Sequence, residues 1–209
     1  MTDDTRQRIV TATNELFRRR GYHGTSLSAI GQAANATTGS IYHFFPGGKE
    51  ELGEAVVRET GAAYRELFEV TAGDGGPDPA EVVARFFAAA AETLAAVDFV
   101  DICPIGTVAR EVASEHERLR VAADAVFESW VDAVAGVLVG DAFDGADGTD
   151  GGRGDETNRV ARSTAASVIA LLEGSFLLAR TRRDAEVLVD AGRHAAAIVE
   201  TARHSAARR

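Results

Sequence analysis

Cysteine is nearly absent from this sequence, since Cys103 is the only one among 209 residues. No disulfide can form within the chain, which indicates a reducing compartment. The first residues, Met-Thr-Asp-Asp, carry acids where a secretory leader needs basic residues and then an apolar run. These two absences together predict a cytoplasmic protein.

Long apolar runs and the motifs of common enzymes are missing as well. The most apolar stretch, residues 164–179, is too short to span a bilayer and contains Glu173, so we expect no membrane partner. The sequence has no nucleophile elbow, phosphate-binding loop or dinucleotide fingerprint. Glu115, His116 and Glu117 lack the histidine pair, four residues apart, of a metal-binding helix. We therefore predict no enzyme, no catalytic residues, no cofactor and no metal site.

Positive charge is scarce overall, with 22 basic against 32 acidic residues and a net charge of −10. The distribution is uneven, because residues 1–50 carry six basic and four acidic residues while the rest of the chain carries 16 and 28. Such asymmetry fits a basic contact module on an acidic body, which suits a nucleic-acid partner. Chance variation among solvated helix faces explains it equally well, so charge alone leaves both interpretations open.

Proline is limited to four residues, whereas alanine is plentiful, and this composition favours long helices. Apolar residues recur at helical spacing and no stretch alternates as a strand would, so we predict an all-α fold. Ten of the 16 residues 141–156 are aspartate or glycine, which predicts a mobile loop. Start and stop residues place helices at about 5–20, 27–34, 38–45, 49–70, 79 to beyond 97, 104–113, from a Ser114–Glu117 capping box to 138, 157–182 and 185–206.

Two of the predicted helices, 27–34 and 38–45, are short and separated by a turn of about three residues, as in a helix-turn-helix. Asn35 suits this turn because asparagine tolerates positive φ, and Thr37 can cap the second helix. In such a unit the second helix enters the major groove of DNA. Its hydrogen-bonding side chains here are Thr38, Ser40, Tyr42 and His43. A short helical hairpin inside a bundle has the same spacing, so the pattern alone leaves both open.

Beyond this spacing, the first 55 residues contain a distinctive set of residues: Leu16-Phe17, Gly21-Tyr22, Gly24-Thr25-Ser26, Ile30, Ala33-Ala34, Gly39-Ser40-Ile41-Tyr42, Phe45 and Lys49-Glu50-Glu51-Leu52. This set resembles the DNA-binding domain of TetR-family repressors. The resemblance implies phosphate or base contacts from Thr25, Ser26, Thr37, Thr38, Ser40, Tyr42, His43 and Lys49. Two positions depart from the family pattern: Asn35-Ala36 replaces the usual Gly-Val of the turn, and Phe44 replaces a usual histidine.

The rest of the chain is similar to a narrower branch of that family. The similarity is carried by Pro46-Gly47-Gly48-Lys49-Glu50, Cys103-Pro104-Ile105-Gly106, Leu171-Leu172-Glu173-Gly174 and Leu177-Leu178-Ala179-Arg180. These segments resemble repressors of the LmrA/YxaF group, which implies a small lipophilic, often aromatic inducer. We therefore predict a DNA-binding domain over 1–48 and a ligand-binding and dimerisation domain over 49–209. The predicted function is a transcriptional repressor that the ligand releases from a palindromic operator.

The last two helices are rich in alanine, valine and leucine over much of their circumference, which favours burial against a second chain in a homodimer. Aromatic side chains near the middle of the chain would line the ligand pocket. The candidate ligand-binding residues are Phe86, Phe87, Phe99, Cys103, Phe127, Trp130, Glu173 and Phe176. The same residue types at helical spacing also fit an ordinary core, so both interpretations stay open.

Glu173, Cys103 and the function itself each have an alternative interpretation. Glu173 either binds the ligand or is a satisfied carboxylate at the dimer seam. Cys103 is more consistent with a small buried residue than with a redox sensor, because Asp98 and Asp101 nearby disfavour a thiolate. The alternative function is a dimeric helical interaction protein without sequence-specific DNA binding, which Phe44 and the modest charge of the first 50 residues would favour.

Overall fold

The computed structural model describes residues 2–73, 78–100, 103–139 and 151–207. All regular structure within these ranges is helical, which confirms the predicted all-α class. The helices are α1 (Thr2–Arg20), α2 (Leu27–Ala34), α3 (Thr38–Phe44), α4 (Gly48–Ala72), α5 (Pro79–Ala96), α6 (Pro104–Val112), α7 (Glu117–Val139), α8 (Gly151–Arg182) and α9 (Glu186–Ala207).

The chain packs into two compact units. The first unit comprises residues 1–64 and 100–127, and the second comprises residues 65–99 and 128–209. The predicted domain boundary at residue 48 is a functional one, between a DNA-binding part and a ligand-binding part of the chain. It does not coincide with the division into packing units, and it stays a prediction.

The first unit is built around the apolar faces of α1, α2 and α3. Phe17 of α1, Ile30 of α2 and Ile41 of α3 are completely buried. Because α2 and α3 are only eight and seven residues long, they would be marginal alone in water, and this shared core holds them in place. The two short helices predicted from the sequence are confirmed, the second ending one residue earlier than expected, at Phe44.

The second unit has a close contact between α5 and α9 at its centre. Phe87 of α5 and Leu188 of α9 are buried there. Gly192 allows the approach, because a Cβ at this position would lie 2.6 Å from the Cβ of Phe87. Asp78 accepts the first hydrogen bond of α5 at 3.0 Å, as predicted, and also accepts one from Nη1 of Arg203 in α9 at 2.7 Å.

The start of α7 differs from the prediction. A capping box needs Glu117 at the third helical position behind Ser114, but α7 begins at Glu117 itself. The residues before it form a tight turn in which the His116 N–H donates to the carbonyl oxygen of Val112 at 2.9 Å. The predicted capping box is therefore wrong, because the end of α6 leads directly into this turn.

The start of α8 also differs. This helix begins at Gly151, so residues 151–156 are helical and the predicted loop is wrong there. Composition pointed to a loop there, but Glu156 and Arg159 pair at 2.6 Å across one helical turn and support the helix. The other predicted loop residues, 141–150, lie outside the described residues.

α8 is an apolar helix as well as a long one. Its stretch Gly154–Arg182 is long and apolar enough to cross a membrane by length and composition alone, so the expectation that this region is too short is wrong. Core helices of soluble proteins pass the same test, and one such helix is weak evidence for a membrane. Val168, Leu172 and Phe176 are buried at helical spacing, as in a helix packed inside a globular protein.

Candidate nucleic-acid interface

The turn between α2 and α3 has a backbone that suits asparagine. Asn35 is left-handed, with φ 48° and ψ 51°, and its N–H donates to the carbonyl oxygen of Gln32 at 3.3 Å. The N–H of Ala36 donates to the carbonyl oxygen of Gly31 at 2.8 Å. Glycine is needed at position 31, because a Cβ there would come within 2.8 Å of the Ala36 carbonyl oxygen. Backbone contacts therefore fix the angle between the two helices.

Hydroxyl side chains cap both short helices. Oγ of Ser26 accepts the Ala29 N–H at 3.1 Å, and Oγ1 of Thr37 accepts the Ser40 N–H at 3.0 Å. The hydroxyls of Thr37 and Ser40 are also hydrogen-bonded to each other at 2.9 Å. Such caps are worth about 1 kcal/mol each. Ser26 and Thr37 are exposed and Ser40 is half-buried, so the capping hydroxyls remain at the surface.

α3 has one buried side and one open side. Ile41 is fully buried, and Phe45, directly after the helix, is buried as well. The exposed residues opposite form what we call the outer face of α3: Thr38, Gly39, Tyr42 and His43. Among the described residues, a Cβ at Gly39 would meet only Oγ1 of Thr37, at 3.7 Å, so the backbone there is open to an approaching molecule. Hydroxyl, imidazole and exposed backbone groups suit phosphate oxygens and base edges.

Thr25 does not belong to this open surface. Its side chain is 1% exposed, and its hydroxyl donates to the carbonyl oxygen of Gly21 at 2.8 Å. The DNA contact that the family resemblance implied for the Thr25 side chain is therefore corrected, because the hydroxyl is buried and stabilises the turn before α2.

Lys49 is also directed toward the protein. Its Nζ lies over the ring of Tyr22, 4.1 Å from the centroid, in a cation–π contact. Burial lowers the pKa of the Lys49 ammonium, and the nearby Glu111 carboxylate opposes that shift. A phosphate contact would require the ammonium to leave the Tyr22 ring, so the predicted contact stays a prediction.

Two arginines of α1 support the short helices in a way that the sequence pattern did not indicate. Nε of Arg8 donates at 3.2 Å to the carbonyl oxygen of Ala34, at the end of α2. Arg6 pairs with Glu59 of α4 at 2.5 Å and lies over the Phe45 ring, 5.5 Å from its centroid. These partners lie 26 to 53 positions away along the chain, which is why local spacing cannot reveal them.

The residues predicted to contact a small molecule are distributed over both units. Cys103 and Phe127 belong to the first unit and the other six to the second. Cys103 is 3% exposed, and its Sγ accepts the Gly106 N–H at 3.4 Å at the start of α6. The prediction that Cys103 is a small buried residue is confirmed.

The aromatic candidates of the second unit already have protein neighbours. Phe87, Trp130 and Phe176 are buried. The ring of Phe86 packs edge-on against Phe68 at 5.3 Å, and Arg183 lies 5.3 Å from the centroid of the Phe99 ring. Glu173 is half-buried on α8, which fits either of its predicted roles. Their contact with a ligand stays a prediction.

A small apolar cleft in the second unit lies between α7, α8 and α9. It is lined by Leu138, Val160, Ala161, Thr164, Val199, Ala202 and Arg203. None of the predicted ligand-binding residues lines it. Sequence reasoning missed this cleft because small and β-branched residues at helical spacing look the same whether they fill a core or border a gap.

Two family models match the sequence. The model of bacterial regulatory proteins of the tetR family matches residues 9–56, which include α2, the turn and α3. The model of the C-terminal domain of LmrA/YxaF-like transcriptional regulators matches residues 79–194, more than half of the chain.

Individual relatives agree with these models. The HTH-type transcriptional regulator YxaF of Bacillus subtilis (strain 168) is 31% identical over 181 residues, which cover 87% of each chain. The HTH-type transcriptional regulator LmrA of the same organism is 28% identical and covers 89% of this chain and 92% of its own. A solved TetR transcriptional regulator from Legionella pneumophila superposes with a TM-score of 0.70 at 27% identity, covering 96% of this chain and 94% of its own. These relatives are transcriptional regulators and not enzymes.

Proposed function

This chain belongs to the TetR family of bacterial transcriptional regulators, with a C-terminal domain of the LmrA/YxaF type, and on that premise we propose that it is a ligand-responsive repressor. A small lipophilic molecule would release the protein from a palindromic operator. The observation that carries the proposal is the outer face of α3, which displays hydrogen-bonding groups on a helix whose other side is locked into the core. Operator DNA as partner also favours a cytoplasmic location.

The proposed DNA contacts come from the outer face of α3 and from the residues that border it. They are Ser26, Thr37, Thr38, Ser40, Tyr42, His43 and Lys49. The capping hydroxyls suit phosphate oxygens, which position a protein on the duplex, whereas side chains farther along α3 suit base edges. Thr25 is left out because its hydroxyl is buried.

Replacing Gly39 with alanine is expected to weaken operator binding about tenfold while stability stays equal or rises by up to about 1 kcal/mol. Alanine favours the helix over glycine, and the added methyl would meet Oγ1 of Thr37 at 3.7 Å and no other atom in the part of the chain that the structure describes. On DNA, the same methyl would occupy the space through which the backbone of α3 approaches. Thermal unfolding and operator titrations of the same preparation separate the two effects. Unchanged operator affinity would exclude Gly39 from the interface.

We further propose a homodimer through α8 and α9. From Ser163 to Thr181, the exposed residues of α8 carry no charge. Leu177 and Leu178 on α8 and Ile198 on α9 are 50%, 48% and 40% exposed, although large apolar side chains are usually buried. A second copy of the same two helices would cover this surface in an isologous four-helix interface. Such a dimer presents two α3 helices to half-sites about 34–36 Å apart.

Replacing Leu177 with glutamate is expected to convert the dimer into a monomer, because a two-fold interface would bury the new carboxylate twice. Sedimentation velocity at micromolar concentration measures the outcome. Leu67→Glu is the matched control, since Leu67 is also exposed, at 56%, but lies on α4. Dimers of the same strength in both variants would contradict the proposed interface.

Ligand response is tested by coupling to DNA. The single tryptophan, Trp130, is buried in the second unit and gives an intrinsic fluorescence signal for binding of aromatic compounds. Compounds that quench it are then titrated into the operator complex. A repressor of this type should lose operator affinity by about 5- to 150-fold when the ligand is bound. If every bound compound left operator affinity unchanged, the proposed ligand response would be wrong.

A further inference from the structure

The turn between α1 and α2, residues 21–24, receives a side chain from α6. Gly21 ends α1 in the left-handed region with φ 73°, and its N–H donates to the carbonyl oxygen of Phe17 at 2.9 Å. A Cβ built at Gly21 would overlap the carboxylate of Glu111. The Glu111 carboxylate therefore occupies the space that the missing side chain leaves, and both residues belong to the first unit.

The same carboxylate holds the turn by a hydrogen bond. Oε2 of Glu111 accepts the backbone N–H of His23 at 2.8 Å. The carbonyl oxygen of Glu111 also lies 3.4 Å from Nε2 of His23, so residue 23 is held through both its backbone and its ring. A hydrogen bond from a backbone N–H to a carboxylate is stronger than one between neutral groups. The contact joins residues that are 88 positions apart in the sequence.

The held turn leads directly into the DNA-binding helices. The carbonyl oxygen of Gly21 accepts the Thr25 hydroxyl at 2.8 Å, and the carbonyl oxygen of Tyr22 accepts the Thr25 N–H at 3.2 Å. Ser26 follows at once and caps α2. The position of residues 21–24 therefore determines where α2 begins. The position of α3 follows from that of α2, because the two helices are joined by the turn at Asn35.

We propose that Glu111 is a positioning residue for DNA binding, which keeps the turn before α2 ordered in the free protein so that α2 and α3 meet DNA in their bound arrangement. This inference rests on the proposed DNA interface. If the turn is already ordered in the free protein, DNA binding does not have to offset the cost of ordering it. The apparent affinity for DNA is then higher, because it is proportional to the fraction of the protein already in the conformation that binds DNA.

The test compares Glu111→Ala, Glu111→Gln and Glu115→Ala. Glu115 is the control, because its carboxylate is 60% exposed and faces the ring of His23 at 3.5 Å, whereas Glu111 accepts a backbone N–H of the turn. Both alanine variants remove one negative charge near the DNA-binding helices, which by itself favours phosphate binding. Loss of the contact between Glu111 and the turn should instead weaken DNA binding, so the effect of the contact can be distinguished from the effect of the charge.

Two quantities are measured for each variant. The first is hydrogen exchange of the His23 amide in the free protein, which reports the contact without DNA. The second is affinity for operator DNA, with thermal unfolding recorded alongside. We expect Glu111→Ala to accelerate His23 exchange and to weaken operator binding about tenfold. Glu111→Gln keeps an acceptor oxygen and should stay within about threefold of the wild type, and Glu115→Ala should bind equally well or more tightly.

Several results would overturn the inference. Unchanged exchange at His23 in Glu111→Ala would show that the contact does not hold the turn. Faster exchange with unchanged operator affinity would show that the contact has no role in DNA binding. A wild-type protein that binds no specific DNA would refute the proposed function and, with it, this role for Glu111, whereas the exchange result would still report the contact itself.

Discussion

Replacing Tyr42 and Lys49 together with alanine is expected to weaken operator binding about 100-fold, with dimerisation and ligand binding unchanged. Tyr42 is half exposed on the outer face of α3, and its phenol offers both a hydrogen bond and apolar contact to DNA. Lys49 is the only lysine of the chain and is the second residue of α4, which follows the DNA-binding helices. Losing the Tyr42 contact and the Lys49 contact with DNA in both subunits of a dimer accounts for a loss of affinity of this size.

Titrations over a range of salt concentrations separate the two contributions. Loss of the Lys49 contact should reduce the slope of log affinity against log salt by about two, one for each subunit of the dimer. The control is Arg65→Ala, which also removes one positive charge but lies in the second unit, where Arg65 pairs with Glu69 at 2.7 Å. Replacing Lys49 also removes its cation–π contact with Tyr22, which is worth about 0.5–1 kcal/mol. Thermal unfolding of the variant measures this loss of stability separately from the loss of DNA binding. Undiminished operator affinity in the double variant would contradict the proposed contacts.

Gly192→Val is expected to lower the free energy of unfolding by about 3 kcal/mol and the melting temperature by about 10 °C. A Cβ at position 192 would lie 2.6 Å from the Cβ of Phe87 and 3.5 Å from the carbonyl oxygen of Ala84. Neither neighbour is the flexible end of a side chain, and Phe87 is fully buried. The two helices α5 and α9 must therefore separate to admit the valine, which opens the core of the second unit.

Gly136→Val is the matched control for this prediction. Gly136 lies in the middle of α7, also in the second unit, and a Cβ there would meet no atom of the described residues within 4 Å. The same substitution should then change stability by no more than about 0.5 kcal/mol. Both variants are melted at one protein concentration, because the stability of a dimer depends on it. Equal melting temperatures for the two variants would show that α5 and α9 do not pack closely at Gly192.

Local chemistry made the DNA-binding helices predictable from the sequence. Thr37, Asn35 and Ser26 lie where a helix starts or stops, and each acts on backbone groups within three positions of itself. The buried side of α3 likewise follows from the position of Ile41 in the helical repeat. Features of this kind depend on neighbours in the sequence and need no knowledge of the rest of the fold.

Contacts between distant segments were not predictable in the same way. The carboxylate of Glu111 fills the space beside Gly21, and Arg8 reaches the carbonyl oxygen of Ala34, yet no spacing rule connects these residues. Thr25 shows that a residue's local position can also mislead. A hydroxyl next to the start of a helix can face DNA or the preceding turn, and the surrounding residues determine which of the two it contacts. The ligand pocket is the most difficult feature, since aromatic residues at helical spacing fill cores and line pockets alike.

The most direct test of the central claim, that the outer face of α3 recognises a specific DNA sequence, is selection of duplexes from a randomised pool by the purified protein. We expect enrichment of a palindromic site that the protein binds far more tightly than a scrambled duplex, with the preference retained when salt is raised. Failure to enrich any sequence, together with equal, weak and salt-sensitive binding to every duplex, would contradict it.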